Sequence, residues 1–244
     1  MHSIKLLISV KSLDEVKDVV EGGADIIDVK DPSNGSLGLP DLSLVKEVID
    51  VVRSLGSKEV SMALGDVDKE NKALNYIAFV GGVLNVDYIK VGMAVIDFDV
   101  ATRIARNIAD TVSVFPKLRI VLVGYADYLY TQSIEPLKIV DVAIKTEAEG
   151  VMIDTLRKGR WTTFDVLSLE YLRKFAEKAH EASLLAAIAG SIRIEHISLC
   201  MKLGFDVVGV RGAVCTGGRS GKISRELVKQ FKLEIEKYKA LRSY

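Results

Sequence analysis

The sequence predicts an α/β fold, a single (β/α)8 TIM barrel that occupies residues 1–244. Short apolar runs rich in Ile and Val alternate with segments of helical period, and there are eight such runs. Strands that alternate with helices of this length form βαβ units and a parallel sheet. The length of 244 residues is also close to the ~250 residues that are typical of this barrel.

Each apolar run has the length of a buried strand and is followed by a segment that can return the chain as a helix. In chain order the predicted strands are Ile4–Val10, Ala24–Lys30, Glu59–Gly65, Val86–Gly92, Leu118–Gly124, Gly150–Asp154, Leu184–Gly190 and Phe205–Arg211. Helical spacing is clearest at Leu13–Val20, at Leu169–Ala176 and at Leu227–Leu241, which follows the eighth strand. No Pro/Ser-rich linker divides the chain, so one domain is expected.

An open, doubly wound sheet is the alternative fold. Such a sheet usually has fewer strands and a Gly-x-Gly-x-x-Gly turn after the first one. Here the first strand is followed by Lys11-Ser12-Leu13-Asp14, which contains no glycine. The barrel is therefore favoured.

Composition narrows the functional classes. The 33 Lys and Arg residues balance the 33 Asp and Glu residues, whereas a nucleic-acid-binding protein usually carries a basic excess. Two cysteines, Cys200 and Cys215, are too few for a disulfide framework and fit a reducing compartment. No apolar run approaches the ~18 residues of a membrane span, and the histidines lack metal-ligand spacing. We expect a cytoplasmic protein without a metal, cofactor, membrane or nucleic-acid partner.

The second predicted strand carries two charges on one face. Side chains alternate along a strand, so Asp28 and Lys30 point to the same side as Ile26, which we expect to be the barrel interior. A buried lysine is rare unless it is paired, and Asp28 is a natural partner for Lys30. The pair is either structural or an active site, in which desolvation lowers the lysine pKa so that a neutral amine attacks a carbonyl group.

The fourth strand supplies a second inward lysine, Lys90, which shares a face with Tyr88 and Gly92. One inward lysine can be accidental, but two on different strands suggest two cations that face one cavity. A second ammonium group lowers the pKa of the first still further. The two lysines could act as nucleophile and proton acceptor in carbonyl chemistry.

The sixth strand ends at Asp154 and is followed by a basic loop that contains Lys158. Asp154 is a candidate proton carrier or a partner for Lys158, although a helix cap before a solvated loop is an equally good interpretation. Asp127, after the fifth strand, is a functional candidate or a turn residue.

The ends of the seventh and eighth strands resemble a phosphate site. They carry Gly190, Ser191, Arg211 and Gly212, and many barrels bind phosphate in these two loops with backbone N–H groups. The alternative is a flexible surface loop. The glycine-rich segment Cys215–Lys222 lacks the spacing of a P-loop and does not follow a first strand.

Several segments together resemble the (5-formylfuran-3-yl)methyl phosphate synthases, which make the furan precursor of methanofuran. The matching segments, which run through nearly the whole chain in order, are Asp25–Pro32, Gly35–Gly38, Asp87–Gly92, Gly124–Asp127, Asp154–Thr155, Ala189–Ile192, Glu195–His196, Gly209–Ala213 and Gly217–Gly218. Asp31 stands where the family pattern has Asn, and the segment Lys158–Thr163 matches the pattern poorly.

The resemblance implies a barrel similar to class I aldolases and a lyase that condenses two glyceraldehyde 3-phosphate molecules with loss of phosphate and water. It implies that Lys30 forms the Schiff base and that Lys90 accepts a proton. The supporting groups would be Asp28, Asp154 and Lys158. One phosphate would bind at Gly190, Ser191, Arg211 and Gly212, and the Ser33–Gly38 loop is the candidate for the other. Because barrels often associate, we expect a homo-oligomer.

Three further functions fit the residues. Asp28-Val29-Lys30 loosely resembles the Asp-x-Lys pair of orotidine-type decarboxylases, in which the lysine stays protonated, but Asp31 is too near for the further Asp of that pattern. Another sugar-phosphate aldolase on the same barrel is also compatible. The third possibility is a barrel that only binds sugar phosphates, for which two inward lysines are excessive.

Overall fold

A computed structural model describes residues 4–56 and 58–241 and contains the predicted closed barrel of eight parallel strands. Residues 1–3, 57 and 242–244 of the predicted domain lie outside the described residues. The strands are β1 (Lys5–Val10), β2 (Ile26–Val29), β3 (Glu59–Val67), β4 (Tyr88–Met93), β5 (Arg119–Tyr125), β6 (Gly150–Asp154), β7 (Leu185–Ile188) and β8 (Val207–Val210). Each lies in or overlaps a predicted strand, with ends that differ by at most two residues.

Closure of the barrel joins the first strand to the last. Strand β1 pairs with β2 on one side and with β8 on the other, where Lys5 aligns with Val207 and Ile8 with Val210. Every strand of the barrel therefore has two hydrogen-bonded neighbours, and no barrel edge is left unpaired.

Helices connect the strands around the outside of the barrel. They are α1 (Val16–Glu21), α2 (Leu42–Leu55), α3 (Ala73–Val83), α4 (Phe98–Val112), α5 (Tyr128–Thr131), α6 (Pro136–Thr146), α7 (Thr163–Val166), α8 (Leu169–Glu181), α9 (Ile197–Lys202) and α10 (Arg225–Leu241). Single 3-10 turns occupy Leu13–Glu15, Ile194–His196 and Gly212–Val214. A short antiparallel hairpin of β9 (Cys215–Thr216) and β10 (Lys222–Ile223) precedes α10.

The alternation of side chains along each strand divides the core into two layers. Ile27 and Val29 pack outward against the helices. Ile26 joins Leu7 and Met152 in the apolar filling of the barrel interior. Helix α4 shows how the outer layer forms, because its apolar residues recur at helical spacing on one buried face and Asp97 caps its first turn through Val100 N at 2.8 Å. Asp28 therefore points into the barrel, as the sequence predicts.

Within the described residues, no helix is both long enough and apolar enough to cross a bilayer.

Candidate active site

A cavity of about 650 Å³ lies at the carboxyl ends of the barrel strands, where the active sites of such barrels are found. The predicted site residues that line it are Lys30, Lys90, Asp154, Lys158, Gly190, Ser191, Arg211 and Gly212. Asp28 is fully buried and reaches the site through its contact with Lys90. The structure thus brings all nine predicted residues into one region.

Lys30 follows β2 directly and is 7% exposed. Its Nζ donates a hydrogen bond to the carbonyl oxygen of Ser36 at 3.1 Å. Burial lowers the pKa of Lys30 to about 7, with help from the positive charges of Lys158 and Lys90 and against the attraction of Asp154 and Asp28. A large fraction of this side chain is therefore a neutral, nucleophilic amine near neutral pH.

Asp28 pairs with Lys90 and not with Lys30, its partner in the sequence-based interpretation. Lys90 Nζ lies 2.8 Å from Asp28 Oδ2, and Ser9 Oγ donates to the same oxygen at 2.8 Å. Burial pushes the pKa of Asp28 upward, but Lys90 and Lys30 outweigh it and leave that pKa below its ordinary value. Oδ1 of Asp28 is buried and has no hydrogen-bond partner among the described residues.

Asp154, at the end of β6, forms an ion pair with Lys158, four residues further along the chain in the loop after β6. Its Oδ1 also accepts the N–H of Thr155 at 2.7 Å, and its Oδ2 accepts from Ser36 Oγ at 3.2 Å. Burial raises the pKa of Asp154, but Lys158 and Lys30 outweigh burial and lower it to about 2. Burial lowers the pKa of Lys158 against the pull of Asp154. Asp154 is accordingly ionised beside Lys30.

A loop between β2 and α2 covers Lys30. Asp66 and Tyr125, to which the sequence patterns assign no role, hold this loop in place. The carboxylate of Asp66 accepts the N–H groups of Ser36 at 2.6 Å and Leu37 at 3.2 Å, and it also accepts the hydroxyl of Tyr125. A Cβ at Gly35, whose φ is +113°, would lie 2.3 Å from Asp66 Oδ2. Asp66 and Tyr125 each come directly after a predicted apolar strand, so only the fold shows that their side chains meet.

The backbone turns sharply at the end of β7. Gly190 and Ser191 both have positive φ, +91° and +56°, and strain at a non-glycine residue of this kind is typical of functional sites. A Cβ at Gly190 would lie 2.2 Å from Thr163 Oγ1. Gly190 and Ser191 line the same cavity as Gly212, which follows β8.

Arg211 lines the same cavity, but its charge is already matched. Its Nη1 and Nη2 donate to the two carboxylate oxygens of Glu15, each at 3.0 Å, and Nη1 also donates to the carbonyl of Ser9 at 2.7 Å. This bidentate pair is buried and ties the end of β8 to the turn after β1.

Asp127 has a structural role in this arrangement. Its carboxylate accepts the N–H groups of Leu156 at 2.8 Å and Arg157 at 2.9 Å, so it holds the start of the loop after β6. In the described part of the chain, no group of three or more His, Cys, Asp or Glu side chains could hold a metal ion.

Comparison with known proteins identifies the family. Residues 6–232 match the family model described as 4-HFC-P synthase. The (5-formylfuran-3-yl)methyl phosphate synthase of Methanocaldococcus jannaschii is 38% identical over 233 residues, which cover 93% of this chain and 97% of that protein. The synthase of the same name from Methanosarcina barkeri is 37% identical over 235 residues and is covered in full. The chain belongs to the (5-formylfuran-3-yl)methyl phosphate synthase family. The protein is therefore an enzyme, because the members of this family are named as synthases.

Comparison with solved structures confirms the barrel fold of this chain. The 3-hexulose-6-phosphate synthase from Salmonella typhimurium matches with a TM-score of 0.64 at 18% identity, over 95% of this chain and all of that one. KGPDC from Streptococcus mutans matches with a TM-score of 0.60 at 15% identity, over 96% of this chain and 98% of that one. At these identities the likeness shows the fold alone.

Proposed function

We propose that the protein condenses two molecules of glyceraldehyde 3-phosphate into (5-formylfuran-3-yl)methyl phosphate, a methanofuran precursor, through a Schiff base on Lys30. Two triose phosphates contain the atoms of this product, one phosphate and two waters. The observation that carries the proposal is the amine of Lys30, whose burial lowers its pKa to about 7 inside a cavity lined by cations. Membership of the synthase family supplies the identity of the product.

The first steps form the electron sink. The lone pair of neutral Lys30 attacks the aldehyde carbon of one triose phosphate, and water leaves to give an iminium ion. The positive nitrogen acidifies the neighbouring carbon, and the α-proton moves to Lys90, which leaves an enamine. In this step Lys90 reacts in its neutral form, and the ammonium group that results is stabilised by the carboxylate of Asp28, whose Oδ2 lies 2.8 Å from Nζ.

The later steps build and aromatise the ring. The enamine expels the phosphate group from its third carbon with the bonding electrons of the C–O bond, so this carbon becomes the nucleophilic end of an enol. The second triose phosphate reacts as its ketone isomer, and the enol carbon adds to the carbonyl carbon, whose oxygen takes up a proton. The terminal hydroxyl of the second molecule closes the ring on the carbonyl group next to the imine, two waters are lost to give the furan, and hydrolysis of the imine returns the Lys30 amine and leaves the formyl group. Lys158, which is paired with Asp154, is the proposed proton donor to the departing groups. Aromatisation makes the final state hard to reverse.

Trapping tests the nucleophile directly. Borohydride added with glyceraldehyde 3-phosphate should fix one substrate-derived adduct on Lys30, which peptide mass spectrometry locates. Lys90→Met should still be trapped at Lys30 but should form no furan, as followed by ultraviolet absorption. No adduct, or an adduct on another lysine only, overturns the mechanism.

A further inference from the structure

The cations of the active-site cavity differ in whether a carboxylate accompanies them. Six described residues with positive side chains line the cavity: Lys30, Lys90, Lys158, Arg193, Arg211 and Arg219. Four of them have a carboxylate within 4.0 Å: Lys90 has Asp28, Lys158 has Asp154, Arg193 has Glu195 and Arg211 has Glu15. Among the described residues, no carboxylate lies that close to Lys30 or Arg219.

The two cations without a carboxylate can respond in different ways. Lys30 loses its proton near neutral pH, since its pKa is about 7. A guanidinium group cannot be deprotonated in a protein, so Arg219 keeps its charge. Its only hydrogen-bond acceptor among the described residues is the carbonyl of Gly35, 3.1 Å from Nη2. The carboxylates of Asp154 and Asp66 attract it only from beyond 4.0 Å, so this half-buried charge is suited to a mobile anion.

Arg219 also occupies the right place for such an anion. It lies in the turn of the β9–β10 hairpin, which packs on the end of β8, because a Cβ at Gly212 would lie 3.7 Å from the Cα and N of Arg219. Its carbonyl accepts Arg211 Nε at 3.2 Å. Arg211, held by Glu15, thus anchors the backbone of Arg219 beside Gly212, in the cavity that Gly190 also lines.

We infer that Arg219, and not Arg211, is the guanidinium that binds the phosphate group of the substrate at the ends of β7 and β8. Arg219 is then a specificity-determining residue that selects phosphomonoesters. This inference rests on the proposed function for the identity of the substrate. The planar fork of Arg219 matches two phosphate oxygens, and the glycines at the strand ends let backbone N–H groups approach the remaining ones. Because Nη2 also contacts Gly35, a bound phosphate would lie next to the loop that covers Lys30.

Glycerol 3-phosphate tests this assignment, because it carries the phosphomonoester but has no carbonyl group to react. Its binding is measured by titration calorimetry. Arg219→Gln should raise the dissociation constant about 10- to 100-fold, the range for a lost charged hydrogen bond or pair. Arg219→Lys, which keeps the charge but not the fork, should fall between Arg219→Gln and the unchanged protein. Arg193→Gln removes a cation from the same cavity that is exposed and already has Glu195, and it should change the constant less than twofold.

The outcomes separate this inference from the proposed reaction. Unchanged affinity in a folded Arg219→Gln variant, or no binding of millimolar glycerol 3-phosphate to the unchanged protein, overturns the inference. Borohydride trapping with unphosphorylated glyceraldehyde should proceed at equal rates in Arg219→Gln and the unchanged protein, because Lys30 is intact. If Arg219→Gln lowered this trapping rate, Arg219 would act on the reactivity of Lys30. That result would overturn the assignment of Arg219 to phosphate binding. Loss of glycerol 3-phosphate binding in Arg219→Gln supports the inference even if the unchanged protein forms no furan, a result that would overturn the proposed function alone.

Discussion

The amine of Lys30 is tuned by charges on two other strands. Burial has the largest effect on the pKa of Lys30, which Asp154 raises and Lys158 lowers. Since the pKa of Lys30 is about 7 in the fold, the neutral amine accumulates as the pH rises through 7. Schiff-base formation should therefore increase across that range and level off above it, which the initial rate of cyanoborohydride trapping at different pH values measures.

Two substitutions should move this midpoint in opposite directions. Lys158→Met removes a positive charge that lowers the pKa of Lys30, so the midpoint should move to higher pH. Asp154→Asn removes a negative charge that raises this pKa, so the midpoint should move to lower pH. Displacement of both midpoints in the same direction would contradict the assignment of these two neighbours.

The buried pair of Arg211 and Glu15 should matter for stability. Glu15→Gln leaves the guanidinium without its carboxylate, and breaking a buried pair in this way costs about 3–5 kcal/mol. Urea denaturation measures the loss. Glu21→Gln is the control, since the pair of Glu21 with Arg225 is exposed and such pairs contribute about 0–1 kcal/mol. Equal losses in the two variants would show that Arg211 does not depend on Glu15.

At this scale the sequence predicts which residues reach the site better than it predicts their partners. Alternation along β2 places Asp28 and Lys30 inside the barrel, and the structure confirms it. The partner of Asp28 is Lys90, two strands away, and no spacing along one strand encodes that distance. The roles of Asp66 and Arg219 likewise depend on loops that meet only in the folded barrel.

The loop that covers Lys30 is the element with the most varied attachments. It contacts Asp66 of β3, Asp154 of β6 and Arg219 of the β9–β10 hairpin. Burial and the nearby charge of Asp66 raise the pKa of Tyr125 well above its usual value, so its hydroxyl stays protonated and donates to Asp66. The loop is thus fastened to the barrel on several sides.

Gly92 makes this fastening possible. A Cβ at Gly92 would lie 1.8 Å from the hydroxyl oxygen of Tyr125, so Gly92→Ala should displace that hydroxyl from Asp66. We expect a loss of about 1–3 kcal/mol in the free energy of unfolding, as for other overpacked cores, together with faster proteolysis of the loop. Tyr125→Phe in the same chain should restore part of the lost stability. No recovery in the double variant would place the clash elsewhere.

Elements of regular length are predicted well and irregular ones poorly. Strand β6 begins and ends at the predicted residues, because Gly150 and Asp154 bound a fully apolar run. The β9–β10 hairpin was not predicted, since two-residue strands carry no periodicity. Its turn depends on Gly221, where a Cβ would lie 1.8 Å from the carbonyl oxygen of Thr216.

On the scale of the whole molecule, α3 differs from an ordinary surface helix. Residues 73–83 contain no charged side chain, and Tyr76, Phe79 and Val83 are 76%, 44% and 61% exposed. A helix that is apolar on all sides is usually covered, which fits the expected homo-oligomer. Tyr76→Lys with Val83→Glu should lower the mass found by sedimentation if α3 is the contact. Leu233→Lys on α10, another exposed apolar position, should leave the mass unchanged, and an equal effect would point away from α3.

The reactive amine depends on the closed ring of strands. The pairing of β1 with β8 joins residues as far apart as Lys5 and Val207, while the surroundings of Lys30 are assembled from β2, β4 and β6. In an unfolded chain the lysine would have an ordinary pKa of about 10.4 and would be almost entirely protonated at pH 7. At that pH a carbonyl reagent should therefore label Lys30 much faster in the closed barrel than in the unfolded chain. The time course of labelling during refolding would then report when the two ends of the sheet pair.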